Sequence, residues 1–200
     1  MGDSFAGFLL LACQNILAVT EGAVYIAMIS SELDTLQSAF RAPGGKWSTF
    51  VIWAKNTFTL GRADCQRQYE PILYGWKDGA QHYCCGARDQ GDVWQIKTPH
   101  KNDIHPTMKP VELMERAVRN SSKTRDIVLD PFGGSGTTLI ACEKSGRRAR
   151  LMEHDPKYVD VIINRWQLFS GKQAKRASDG AGFNVLVDAS VSKTEPAPML

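Results

Sequence analysis

Hydrophobic positions along the first forty residues alternate between two periods. From Asp3 to Val19, Phe5, Phe8, Leu9, Ala12, Ile16 and Leu17 recur at helical spacing behind a capping residue, Asp3 or Ser4, which predicts an amphipathic helix. Thr20-Glu21-Gly22 ends it, and the continuous apolar run of residues 23–28 (AVYIAM) suits a short strand buried on both faces. Residues 31–40 read as a second helix, broken by Ala42-Pro43-Gly44-Gly45. Aromatic and β-branched residues then make 47–55 (WSTFVIWAK) a strand by propensity. Residues 56–69 are polar and irregular, 70–76 (EPILYGW) resume a strand pattern before the Lys77-Asp78-Gly79 turn, and 80–103 carry no clear period. Residues 56–103 are therefore expected to form a hairpin with long loops, an excursion of the kind that carries recognition.

The second half is more regular. Helical patterns at 110–120, 137–145 and 156–170 alternate with strand patterns at 126–130 and 148–153, the signature of parallel strands joined by crossover helices. The chain of 200 residues is long enough for one core. The expected fold is an α/β domain with a doubly wound, mostly parallel sheet over residues 1–173. From Gly171 the chain turns polar, so 174–200 is expected to be a tail, frayed over 192–200.

Composition changes this picture little. The apolar share of 43% and charged share of 22% are those of an ordinary globular protein, which excludes extensive disorder. A net charge of +3, spread along the chain, permits a nucleic-acid partner without requiring one. The five cysteines are odd in number and no two have the two-residue gap of zinc ligands, so reduced thiols and no metal are expected. The apolar run at 8–13 is too short to span a bilayer and no charged segment precedes it, so the expected location is the cytoplasm, away from membranes.

Candidate chemistry centres on residues 126–138, DIVLDPFGGSGTT, where an apolar strand ends in an acid, a glycine-rich turn follows and a helix starts at once. Gly133, Gly134 and Gly136 let the backbone adopt strained dihedrals and approach a ligand closely, and the carboxyl end of a parallel strand is where such folds bind ligands. A phosphate loop would need a lysine after the last glycine, where Thr137 stands, and Asp130 would repel phosphate while suiting a cationic amino-acid or sulfonium ligand. A dinucleotide site would need G-x-G-x-x-G, which GGSG does not match. The next strand pattern also ends in an acid, Glu153, a carboxylate suited to the two hydroxyls of a ribose.

With these residues in view, the chain resembles the β-class amino-methyltransferases of DNA, from Asp3 to about Gln173 and most specifically from His105 to Trp166. The resemblance implies S-adenosyl-L-methionine as cofactor, bound by Asp130, Phe132, Gly133, Gly134, Ser135, Gly136 and Thr137, with Glu153 on the ribose. Residues 105–110, HPTMKP, look like the family's element that helps to enclose the methionine part, which makes Thr107 and Lys109 ligand neighbours. Residues 105–170 become the cofactor-binding half. Double-stranded DNA is the implied partner and transfer to an exocyclic amino group, adenine favoured, the implied reaction. In 55–69, Lys55, Arg62 and Arg67 with Phe58 and Tyr69 interleaved suit phosphate contact and base reading. Trp53, Trp76 and Trp94 read as core or pocket walls.

The family's transfer motif, DPPY or a close variant, has no counterpart here. The two Asp-Pro pairs, Asp130-Pro131 and Asp155-Pro156, already have places in the pattern. That motif holds the target amino group and stacks the extruded base, so no residue is named catalytic. Its strand lies beside the cofactor strand, Ile127 to Asp130, which is expected in the centre of the sheet; the sheet thus lacks one central strand here, with open edges and a cleft expected in its place. A fragment of an enzyme, one half of a split enzyme and a non-catalytic cofactor-binding module are all open. Activity of this chain alone is not expected, and a homodimer is compatible with the sequence.

Overall fold

The computed structural model describes residues 3–62, 64–85, 89–98 and 108–184, and the following statements concern those residues. Helix α1 (Asp3–Val19) leads into strand β1 (Ala23–Ala27), a 3-10 turn (Ser30–Glu32) and helix α2 (Leu33–Arg41). The long strands β2 (Gly45–Thr59) and β3 (Arg67–Lys77) form an antiparallel hairpin, and β1 pairs antiparallel on the other side of β3. A three-residue strand, β4 (Val93–Gln95), adds in parallel to β2. Then α3 (Val111–Ser121), β5 (Ile127–Asp130), α4 (Thr137–Ser145), β6 (Arg148–Leu151) and α5 (Pro156–Ser170) alternate, with β5 and β6 parallel. In the larger sheet β3 runs against its three companions, whose directions agree, so the mostly parallel α/β fold expected from the sequence is present.

Side-chain alternation on β3 explains why this sheet is covered twice. Leu73 points to a core of Leu9, Cys13, Leu17, Leu36 and Phe40 from α1 and α2. Its neighbour Ile72 points the other way, into a cluster with Val51, Trp53, Trp94, Ile96 and Leu113 of α3. Leu36, Phe40 and Leu73 are fully buried. Trp53 and Trp94 are core residues as expected, while Trp76 is half-buried and stacks on His82 with ring centroids 3.7 Å apart. At the start of α5, Pro156 occupies the first turn and the Asp155 carboxylate accepts from the Lys157 N–H at 2.9 Å. All five cysteines are free thiols, and burial pushes the pKa of Cys13 and of Cys142 up to about 11. No described helix is long and apolar enough to cross a membrane.

Three expectations need correction. Strand β1 is not buried on both faces; within it Val24 alone is buried, because one edge of the strand faces open space rather than another strand. The excursion is more ordered than its polar sequence suggests. Residues 56–59 continue β2 and 67–69 begin β3, held by the pairs Ala54–Tyr69 and Thr59–Arg67 on either side of a register shift, which composition does not report, and β4 lies in a stretch without periodicity. Strand β5 is not in the middle of a sheet. It pairs with β6 only, so the strands form one sheet in the order β1-β3-β2-β4 and a second of β5-β6.

Candidate functional site

The two sheets present their free edges to one cleft. Residues 23–27 of β1 line it on one side and residues 127–130 of β5 on the other, around a volume of about 980 Å³. Ile127 and Leu129 remain 56% and 40% exposed, a level at which an apolar strand edge is an open binding surface. Ala27 and Met28 at the end of β1 and Phe132 just after β5 line a smaller apolar hollow, where the Phe8 ring meets Phe132 edge-on at 6.0 Å.

The glycine turn closes the carboxyl end of this cleft. Gly134 and Gly136 have φ of 53° and 75°, in the left-handed region, and Gly136 is the residue that caps the start of α4. A Cβ on Gly136 would lie 3.0 Å from Ile162 Cγ2 of α5, so this glycine serves packing against the helix behind the loop as well as the turn itself. On the same face of α5, Arg165 is half-buried and its Nη1 donates to the Ser135 carbonyl. Nothing in the linear pattern singled out Ile162 or Arg165; their three-residue spacing on one helical face is the signal that was there to read.

Both strand-end acids hold the loop in shape. Asp130 accepts from the Phe132 N–H at 3.0 Å and from the Thr138 hydroxyl at 2.6 Å. The Glu153 carboxylate accepts from the backbone N–H groups of Gly134 at 2.7 Å, His154 at 2.9 Å and Asp155 at 3.0 Å. Ser135 and Thr137 share a hydroxyl contact at 3.1 Å, and Thr137 donates to the Lys109 carbonyl at 3.2 Å. Phe132 is 58% exposed. The structure thus gathers Lys109, Asp130, Phe132, Gly133, Gly134, Ser135, Gly136, Thr137 and Glu153 around one turn, while Thr107 and His105 lie outside the described residues.

The basic residues of the hairpin divide. Arg62 and Arg67 are exposed at the end of the β2–β3 hairpin, close in sequence to exposed Phe58, Leu60 and Tyr69. Lys55 is drawn inward. Its ammonium lies 3.2 Å from Glu70 Oε2 and 4.6 Å from the centre of the Trp53 ring.

Residues 19–165 match the family N6_N4_Mtase, DNA methylase. The chain belongs to that family. Among curated relatives, the type II methyltransferase M2.DpnII of Streptococcus pneumoniae is 29% identical over 161 residues, 72% of this chain and 60% of that protein. M.Cfr9I of Citrobacter freundii is 34% identical over 99 residues, 49% of this chain and 33% of that protein. The chain therefore spans less than two thirds of the length of these curated relatives. Among solved structures, TTHA0409 of Thermus thermophilus, complexed with S-adenosyl-L-methionine, superposes with a TM-score of 0.64 at 26% identity, covering 84% of this chain and 78% of that one. The M1.HpyAVI–SAM complex superposes with a TM-score of 0.69 at 24% identity, covering 78% and 82%, and shows the same fold.

Proposed function

We propose that this chain is the S-adenosyl-L-methionine-binding and DNA-facing part of a DNA amino-methyltransferase, with adenine the favoured target, and that it is inactive until one further strand fills its cleft. The observation that carries this reading is the pair of edges, β1 and β5, that have no partner strand among the described residues and flank a cleft ending at the glycine turn. One interposed strand would satisfy both edges and place its carboxyl end beside the turn, where the family's DPPY-like motif would hold the target amino group.

The residues present suit the cofactor. The Asp130 and Glu153 carboxylates bring negative charge and acceptors to a turn otherwise built from backbone N–H groups and hydroxyls. When bound, the cofactor supplies a methyl group on a sulfonium. Asp130 to Thr137 and Glu153 would hold it, with Lys109 and Thr107 enclosing the methionine part. Arg62 and Arg67 would meet DNA phosphates from the hairpin end, with Lys55 contributing once released from Glu70. Residues 1–173 would form the methyltransferase domain, working in the cytoplasm, with 174–200 as a tail.

Cofactor binding alone does not advance the reaction, because the acceptor must be held within attack distance of the methyl group. The test is methyl transfer from labelled cofactor to mixed-sequence double-stranded DNA. It is run on this chain and on a version extended upstream or mixed with a segment that bears a DPPY-like motif. Transfer only with the added segment is expected; turnover by the chain alone would refute the reading and direct attention to Tyr69 and Asp64. Failure of every extended version would favour a non-catalytic binding module.

A further inference from the structure

The segment that leads into α3 is fastened at two points. Its main chain is tied to the cofactor turn, since the Lys109 carbonyl accepts from the Thr137 hydroxyl at 3.2 Å. Its side chain is tied to the hairpin, since Lys109 Nζ lies 2.7 Å from Glu70 Oε1. The other oxygen of Glu70 takes Lys55 at 3.2 Å. One carboxylate therefore stands between two ammonium groups, at side-chain exposures of 20% for Glu70 and Lys55 and 23% for Lys109. At that depth the pair is screened less than a surface ion pair, and removing the carboxylate leaves two like charges facing each other.

We infer that Glu70 is a positioning residue for the cofactor site, acting through Lys109. By gripping the ammonium it fixes the Lys109 carbonyl on Thr137, the first residue of α4, and thereby sets the glycine turn relative to the β2–β3 hairpin. Lys109 lines the cleft together with Gly134, Ser135 and Thr137, so a shift of this segment is felt where the ligand would sit. The inference rests on the cofactor reading above and adds a mechanical link from the DNA-facing hairpin to the cofactor turn. A phosphate that draws Lys55 away leaves Glu70 to Lys109 alone.

The test is calorimetry with S-adenosylhomocysteine, whose amino-acid group is a zwitterion and which carries no net charge near neutral pH. Glu70→Gln is expected to weaken binding about tenfold, the loss of one ionic tether, and Glu70→Asp to recover most of it. Binding by the wild-type chain should weaken as salt rises from about 0.05 to 0.5 M, because the tether is screened, while Glu70→Gln should show a flatter dependence. A merely structural role would lower the thermal midpoint of Glu70→Gln and leave the affinity and salt slope of the folded protein unchanged; that result overturns the inference. If Glu70→Gln does not fold, the double variant Lys55→Met/Glu70→Gln, which relieves the two facing ammonium groups, takes its place, with the same expected loss and the same flattening. Absence of binding by the wild-type chain would instead overturn the cofactor reading and this inference with it.

Discussion

Substituting Gly136 by alanine separates two physical effects at the glycine turn. The first is conformational. With φ at 75°, an alanine would sit in the left-handed region at a cost of about 1–2 kcal/mol relative to glycine. The second is steric. The added methyl would lie 3.0 Å from Ile162 Cγ2, 3.1 Å from Cγ1 and 3.3 Å from Cα, closer than ordinary carbon contacts, and Ile162 is buried at 7% exposure with little room to yield. Overpacking of this kind costs about 1–3 kcal/mol. Together they predict a loss of roughly 2–5 kcal/mol, a fall in Tm of about 5–15 °C for a chain of this size. Urea unfolding of four proteins, wild type, Gly136→Ala, Ile162→Ala and the double variant, forms a cycle. Ile162→Ala removes both Cγ atoms, so the double variant should be more stable than the sum of the single losses by about 1–3 kcal/mol, the steric share. Ile162→Val keeps both Cγ atoms and should give no such relief. A neutral Gly136→Ala would show that neither the dihedral nor the α5 contact governs this turn, and a destabilised Gly136→Ala with no coupling in the cycle would refute the α5 contact.

Two further predictions concern the sheet edges and charge. Native-state hydrogen exchange should be slowest in β3, which pairs on both sides and buries Ile72 and Leu73, and fast at those β5 amides that face the cleft; equal protection of β5 and β3 would mean that the cleft is closed in solution. Glu115 of α3 accepts from Lys144 of α4 and from Arg119, which lowers its pKa, so its contribution to stability is present above the ordinary carboxylate range and is lost as pH falls through the depressed value. Both basic partners are half exposed, which limits the effect to under about 1 kcal/mol. Glu115→Gln should therefore remove a small part of the pH dependence between about pH 5 and 3, and an unchanged stability profile would contradict the pairing.

What could be read from the chain was whatever the backbone decides locally. Helices α1, α4 and α5 fall where apolar spacing and terminal signals put them, because those signals act within a few residues. The turn at 131–136 was legible for the same reason: an acid at a strand end and glycines at fixed offsets have few structural uses other than a ligand-binding turn. The length of β2 and β3, and the existence of β4, were not legible. A polar stretch such as Lys55-Asn56-Thr57 becomes strand because the residues that bracket it, Ala54 and Thr59, pair with Tyr69 and Arg67 across the hairpin, and composition does not report that pairing. The same limit hid Ile162 and Arg165 behind the turn, and hid the pairing of Lys55 with Glu70. That the acids Asp130 and Glu153 belong to one site follows from their pattern, but their work of holding backbone N–H groups in place is decided by the folded loop. The unpaired edges of β1 and β5 are the clearest case. A motif without a counterpart raised the expectation of a missing strand, yet a gap is a relation between two edges, and only the packing of both sheets around their helices sets those edges facing one another.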